Sequence, residues 1–159
     1  FSVDTLNVDA VSGDSDISNI NAAASKVTST SGTIDIESMT ASKLVLNTVS
    51  GELLLTNVSA DTLISETTSG GQVLSGTFKS VEAGSISGEI RITSSIDPET
   101  MFIGTTSGGI TVSIPGNTDP TVSYSSVSGR FKSDIPLRVG GSGNYKFKTV
   151  SGNIYLKAV

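Results

Sequence analysis

A Ser-Gly pair returns through the whole chain at a nearly constant interval, and this repeat limits the possible folds more than any other feature. The eight pairs are Ser12-Gly13, Ser31-Gly32, Ser50-Gly51, Ser69-Gly70, Ser87-Gly88, Ser107-Gly108, Ser128-Gly129 and Ser151-Gly152. Successive pairs are 19, 19, 19, 18, 20, 21 and 23 residues apart, and a β-branched residue precedes every serine. A fixed period of this length is the signature of a repeat architecture.

Apolar and polar side chains alternate on both sides of each Ser-Gly pair. The positions three and five after the serine are mostly aliphatic, as in Ile34 and Ile36, and so are the positions six and four before it, as in Leu44 and Leu46. A period of two indicates β-strands, and no segment keeps the period of 3.6 that indicates a helix. Each repeat is therefore predicted to hold two short strands, one on each side of the Ser-Gly pair, with essentially no α-helix in the chain.

A unit of about 19 residues with two short strands cannot bury its apolar face alone. It can do so when successive units stack as coils, with every strand parallel to its copy in the previous coil at a spacing of about 4.8 Å. Ile34, Leu53 and Ile90 would then share one interior column. The sequence predicts an all-β, single-stranded parallel β-helix, a β-solenoid of about 7–8 coils of 18–23 residues. We expect it to be right-handed, as parallel crossovers are.

The single domain 1–159 divides at the repeats. A partial coil covers 1–11, and the repeats begin at Ser12, Ser31, Ser50, Ser69, Ser87, Ser107 and Ser128, followed by a terminal half coil at 151–159. We expect both half coils to leave strand edges that a neighbouring domain or partner caps. A membrane anchor or leader is expected upstream of Phe1.

The glycine of each pair is predicted to form a structural corner. A chain that turns from one side of the tube to the next needs a residue that tolerates positive φ or close backbone approach. The eight corner residues are Gly13, Gly32, Gly51, Gly70, Gly88, Gly108, Gly129 and Gly152. Insertions at 94–101, 114–121 and 135–144 lengthen the later coils, and we expect them to protrude as loops from one edge, where solenoids often bind partners.

Composition excludes several classes of function. The formal net charge is −5, and no basic stripe is present, which argues against nucleic acid as a partner. The chain has no cysteine and no histidine, so disulfides, thiol catalysis, the usual triads and histidine metal sites are unavailable. No run of 18 apolar residues exists that could span a membrane as a helix.

The outward positions two and four after each serine change from acidic near the N-terminus to basic at Arg130 and Lys132. The acidic patch consists of Asp14, Asp16, Asp35 and Glu52, and it is a weak candidate for a calcium site or for a carboxylate pair that cleaves glycosides. The alternative is a solvated face that keeps the protein soluble. We assign no catalytic residue, no cofactor-binding residue and no cofactor.

The recurring segments "TSGTIDI", "VSGELLL", "ISGEIRI", "TSGGITV" and "VSGNIYL" resemble a bacterial adhesin-type family of unknown function, DUF4097, whose domains are β-solenoids. The resemblance covers the whole chain. It implies an extracytoplasmic protein of the cell envelope or cell surface, often tethered by an N-terminal membrane segment. It implies no catalytic residues, because the family has none assigned.

Three functions are compatible with these observations. The first is a non-catalytic envelope or surface module, an adhesin-like binding or scaffold domain whose partner is a glycan or an envelope protein. The second is a polysaccharide-active lyase or hydrolase on a β-helix scaffold, which is weakened by an aromatic content of only 5%. The third is a structural assembly unit whose open coil ends stack with other chains.

Overall fold

The computed structural model describes residues 1–116, 120–137, 141 and 143–159, and every regular element within these residues is a β-strand. The strands are β1 (Ser2–Ser12), β2 (Ser15–Ser31), β3 (Ile34–Ser50), β4 (Leu53–Ser69), β5 (Gln72–Ser87), β6 (Ile90–Ser94), β7 (Thr100–Ser107), β8 (Ile110–Ile114), β9 (Thr121–Ser128), β10 (Phe131–Ser133), β11 (Asn144–Ser151) and β12 (Ile154–Ala158). All twelve join one sheet of parallel pairs, which winds as a solenoid of about eight turns. The predicted fold class is confirmed.

Equivalent side chains lie over one another in the interior. Ile34 is opposite Leu53, Leu53 is opposite Gln72, and Gln72 is opposite Ile90. None of these four side chains is exposed to solvent. The predicted interior column is therefore present, and each aliphatic member contributes roughly 1.5–3 kcal/mol of burial free energy.

One coil places a polar pair inside the tube. The Ser65 hydroxyl donates a hydrogen bond of 2.5 Å to the side-chain oxygen of Gln72, and the Gln72 amide nitrogen donates one of 2.7 Å to the Gly84 carbonyl. Both side chains are fully buried. A buried amide without partners would cost about 1–3 kcal/mol, so the serine and the glutamine are tolerated in the core because they satisfy each other.

The first complete coils differ from the prediction of two short strands per repeat. Each of β2, β3 and β4 is one continuous ladder of 17 residues between two Ser-Gly corners. Each bends at a residue with a φ of 53 to 56°, namely Asn19, Ser38 and Asn57. The prediction was wrong here because the hydrogen-bonded ladder continues through this second bend. Asn adopts this left-handed conformation more readily than most residues. The Asn57 side-chain nitrogen donates a 3.4 Å hydrogen bond to the Ser38 hydroxyl at the same bend of the neighbouring coil.

The second bend turns a third set of side chains into the tube. Met39 and Val58 follow the bend, and Ala41 and Ala60 come two residues later; all four are buried. Phe78 is opposite Ala60 in the next coil and is also fully buried. The core thus has more interior columns than the alternation beside the corners predicted, which explains how a chain with 36% hydrophobic residues fills its interior.

The last two coils do not stack in chain order. β11 lies between β7 and β9, and β12 lies between β8 and β10. The C-terminal coil, residues 144–158, is therefore inserted before the coil of β9 and β10, which forms the end of the stack. The expectation that the half coil 151–159 leaves an open edge was wrong, since its strand β12 has a neighbour on each side.

The corner glycines serve two purposes. All eight have a positive φ, between 105 and 154°. In addition, a Cβ placed on Gly51 would lie 2.0 Å from the carbonyl oxygen of Gly32 in the previous coil. A Cβ on Gly13, in the first coil, would meet no atom within 4 Å. Stacking therefore excludes a side chain at Gly51, whereas at Gly13 only the backbone conformation opposes one.

We expect Gly51→Ala to destabilise the fold by more than about 4 kcal/mol, because backbone strain and a collision with the Gly32 carbonyl add together. Gly13→Ala should cost only the strain, about 1–3 kcal/mol. Urea denaturation of both variants measures the difference. Equal losses of stability would contradict the close contact between corners.

The coil order can be tested by disulfide formation, since the chain has no cysteine of its own. Gly104 is directly opposite Lys148, and Lys148 is opposite Ser125. The double variant G104C/K148C should form a disulfide on mild oxidation, because neighbouring strands are about 4.8 Å apart.

The matched variant G104C/S125C should stay reduced, because these residues are two strand spacings apart, beyond the roughly 7 Å limit of a disulfide. Gel mobility with and without reductant gives the readout. If the coils stacked in chain order, G104C/S125C would be the pair that closes.

Candidate functional site

A groove crosses six coils, from that of β2 to that of β11, on the outward side of the strand segments that precede the corners. Its volume is about 670 Å³. One register column runs through it: Glu66 is opposite Gly84, Gly84 is opposite Gly104, and Gly104 is opposite Lys148. The two glycines have no side chain, so they form a low floor between a carboxylate and an ammonium group.

A second column borders this floor. Glu82 is opposite Phe102, and Phe102 is opposite Lys146. The Phe102 ring is 44% exposed, and the three side chains line a further depression of about 240 Å³ that shares Gly84 and Gly104 with the groove. The groove and this depression together are called the outward groove below. Two glutamates lie on one side of its glycine floor, two lysines lie on the other side, and an exposed aromatic ring lies between them. Beyond the glutamates the groove continues past Asn47 to Thr28.

The spacing of the charges follows from the sheet. Glu66 and Lys148 are separated by three strand spacings of about 4.8 Å, which is about 14 Å. At this distance the two groups form no ion pair with each other, and their charges remain available to a ligand. Ile86 and Val150, which are 57% and 44% exposed, add apolar surface along the side of the groove that is nearest the corners.

The insertion of the C-terminal coil creates the basic end of the outward groove. Lys146 and Lys148 lie on β11, which pairs with β7. In chain-order stacking, Ser123 and Ser125 of β9 would occupy the places beside Phe102 and Gly104, since β9 aligns with β11 residue for residue. Sequence reasoning missed this site. The lysines alternate with the buried Phe147, which was the available signal that they face outward.

A column of hydroxyl side chains lies on the inner side of the same strands. Its members are Thr48, Thr67, Ser85, Thr105 and Thr149, each opposite the next. All are buried, and their hydroxyls have no hydrogen-bond partner among the described residues. Buried hydroxyls in this state reduce stability. The wall behind the outward groove is therefore less stabilising than the aliphatic columns beside it.

The predicted acidic patch lies on another part of the surface, after the corners. Asp16 is opposite Asp35, and the Asp14 carboxylate accepts a hydrogen bond of 2.8 Å from the Thr33 backbone amide. Glu52 is exposed. Within the described part of the chain, no three His, Cys, Asp or Glu side chains are grouped so that they could hold a metal ion. The patch is a row of carboxylates along the sheet.

Basic side chains on the same face are held by neighbours. Arg91 forms a salt bridge of 3.0 Å with Glu89, and both side chains are largely exposed. Lys132 lies 5.0 Å from the centre of the Tyr155 ring, and its hydrogen bond with the Tyr155 hydroxyl raises the pKa of the lysine above its ordinary value.

The first insertion packs against the tube, contrary to the expectation of a protruding loop. The Tyr145 hydroxyl is hydrogen-bonded to Asp97 and lies 3.0 Å from the Pro98 carbonyl oxygen. Pro98 and Tyr145 are buried, and the Glu99 amide donates a 2.7 Å hydrogen bond to the Lys79 carbonyl. The insertions at 114–121 and 135–144 lie partly outside the described residues.

The chain is thus a β-solenoid repeat protein with a groove on its outer surface. The Toastrack family, DUF4097, matches residues 2–158, and the chain belongs to this family, whose function is unknown. No curated protein and no solved structure matches the chain. Among the described residues, no helix has the length and apolar character needed to cross a membrane.

Tyr145 gives a prediction for alkaline pH. Burial raises the pKa of its hydroxyl above the ordinary value of 10.0, and the hydrogen bond to Asp97 raises it further. The contribution of Tyr145 to stability is fully present below pH 10 and is lost as the pH rises beyond 10. This is because the tyrosine ionises in the unfolded chain but stays protonated in the folded one. The free energy of unfolding should fall by up to about 1.4 kcal/mol per pH unit from this group.

Tyr145→Phe should remove this alkaline component and cost about 1.5–3 kcal/mol at neutral pH, the value of a hydrogen bond to a charged group. Tyr124→Phe is the matched control, because Tyr124 is 54% exposed. Urea denaturation at pH 7 and above pH 10 measures both effects. Identical pH profiles for the two variants would refute the assignment.

Proposed function

We propose that this chain is a non-catalytic, adhesin-like binding module of the bacterial cell envelope, and that its outward groove holds an extended segment of another envelope protein. The observation that carries the proposal is the arrangement of charge and apolar surface in the outward groove. Two glutamates and two lysines stand at opposite ends of a floor of glycines, with the exposed Phe102 ring between them. Membership of the Toastrack family is consistent with a binding role and assigns no chemistry.

A peptide segment fits this arrangement better than a sugar chain. An extended peptide rises about 3.3 Å per residue, so side chains about four residues apart span the roughly 14 Å between Glu66 and Lys148. A basic side chain would then reach the glutamates, an acidic one the lysines, and an apolar one the Phe102 ring. Among the described residues that line the groove, Phe102 is the sole aromatic residue, which leaves little surface on which sugar rings could stack.

A location outside the cytoplasm is part of the proposal. A parallel solenoid is a rigid rod whose sheet faces are accessible along its length, which suits a module that presents a binding surface at the envelope. The absence of cysteine is compatible with this location and does not require it. The charge of −5 favours protein partners over nucleic acid.

The test uses synthetic peptides in which a basic and an acidic side chain are about four residues apart with an apolar residue between them. The unaltered chain should bind such peptides, and K146E/K148E should bind them at least about tenfold more weakly, since attraction at one end becomes repulsion. Fluorescence anisotropy measures the affinity. The salt dependence of binding should be reduced in the variant.

K43E/K157E is the matched control, because it reverses two exposed lysines that lie away from the outward groove and should leave affinity unchanged. Equal affinity of K146E/K148E and the unaltered chain would contradict the proposal. So would a glycan array on which sugars bind while the peptides do not.

A further inference from the structure

The two ends of the solenoid carry unpaired strand edges in the described part of the chain. β1 pairs only with β2, and Phe1 and β1 cover β2 from Asn19 onward, so residues 15–18 have a neighbour on one side alone. At the other end, β9 pairs only with β11, and β10 pairs only with β12. We call β1 with residues 13–18 the first-coil face, and β9 with residues 129–134 the end-coil face.

The two faces have opposite charge. The first-coil face contains Asp4, Asp9, Asp14 and Asp16, and residues 1–25 include no lysine or arginine. The end-coil face contains Arg130 and Lys132, with Asp134 as its one carboxylate in residues 120–137. The neighbouring C-terminal coil adds Lys146, Lys148 and Lys157 behind this face. An acidic end and a basic end are complementary to each other.

The register of the stack places these charges opposite one another. Within the chain every Ser-Gly corner lies on the next, as shown by the 2.9 Å hydrogen bond from the Gly152 amide to the Ser128 carbonyl. When the Ser12-Gly13 corner of a second copy continues this pattern on Ser128-Gly129, Asp14 comes opposite Arg130. Two residues further on, Asp16 comes opposite Lys132.

The apolar columns continue across the same junction. In this register Leu6 of the second copy lies over Val122, and Val8 lies over Tyr124. The Tyr124 ring is stacked on Phe131 with centroids 4.4 Å apart, yet Tyr124 remains 54% exposed at the end of the tube. Leu6, Val8 and Val122 are only partly buried. A further coil would bury all four side chains, as the interior coils bury their equivalents.

Asp134 does not oppose this contact. It is six residues after the serine of its corner, so its counterpart on the second copy is Ser18, an exposed uncharged residue. The carboxylate lies 3.4 Å from the Tyr155 hydroxyl of its own chain.

Gly13 provides an independent observation. At each of the seven other corner glycines, a carbonyl oxygen of a neighbouring coil lies within 2.3 Å of the position that a Cβ would take. At Gly13 no atom lies within 4 Å of this position. In the register described, the Gly129 carbonyl of the adjoining copy would occupy it. The first corner thus has the form of an interior corner that lacks its neighbour.

We propose that copies of this chain associate head to tail, with the acidic first-coil face of one copy stacked on the basic end-coil face of the next. The contact joins two different faces, so it leaves a free face at each end and generates open-ended filaments in place of closed dimers. It gives hydrogen-bond partners to the strand edges of both faces, which have none among the described residues and could otherwise pair with unrelated chains. This association uses the ends of the tube and is independent of peptide binding in the outward groove.

Sedimentation velocity of the 159-residue chain at low ionic strength should show a series of masses that grows with concentration. Raising the salt from about 10 mM to 1 M should shift the series toward the monomer, because the screening length falls from about 30 to 3 Å. A single monomeric species at all concentrations in low salt would overturn the proposal. A dimer that grows no further would also overturn it.

Charge-reversal variants test whether the first-coil face meets the end-coil face. D14K/D16K has two basic ends and R130E/K132E has two acidic ends, so each should associate at least about tenfold more weakly than the unaltered chain. An equimolar mixture of the two should associate again, since each acidic end then meets a basic one. Far-ultraviolet circular dichroism confirms that each variant keeps its strands.

E37K/E52K is the matched control, because it makes the same two changes of charge on exposed residues of interior coils. It should associate as the unaltered chain does. Association of D14K/D16K or R130E/K132E at full strength, or a mixture that stays monomeric, would show that these faces do not meet.

Discussion

The structure depends on one constraint, the close stacking of identical corners. At Gly51 a side chain would have to lie 2.0 Å from the carbonyl of the corner before it, so the backbones of consecutive coils touch and no side chain can separate them. Strands on both sides of the corner are thereby held at one spacing and one register. The columns of Ile34, Leu53 and Ile90 inside the tube follow from that register, because a slip by one residue would turn every side chain to the opposite face.

The same constraint leaves the outer surface free. Side chains that face outward take no part in the interior columns, so their charges can change along the axis without cost to the core. The outward groove, with Glu66 and Lys148 on either side of two glycines, and the opposite charges of the two end faces are both products of this freedom. Polar side chains in the interior are restricted, because each one needs a hydrogen-bond partner there. Ser65 and Gln72 are tolerated because they are hydrogen-bonded to each other, whereas the hydroxyl column behind the groove reduces stability.

Much of the fold could be predicted from the sequence, and the exceptions have physical causes. The corners were predictable because glycine indicates a special local backbone conformation. The aliphatic columns were predictable because period-two alternation indicates which side chains are buried. The second bend at Asn19, Ser38 and Asn57 was missed, since Asn and Ser adopt left-handed φ without a distinctive pattern around them. The outward groove was not predicted, because its lysine end depends on the order of the last coils, and the predicted acidic patch lies on another part of the surface.

The sequence by itself determined the repeat, the register and, beside each corner, the side of the sheet on which a residue lies, because these depend on a period that is present in every coil. The order of the last coils was decided only by the tertiary structure. Every coil offers the same edge to its neighbour, so β11 can pair with β7 as readily as β9 can, and the packing of Tyr145 against the 94–101 insertion accompanies the observed order. That order puts Lys146 and Lys148 beside Phe102 and leaves Arg130 and Lys132 at the end of the tube.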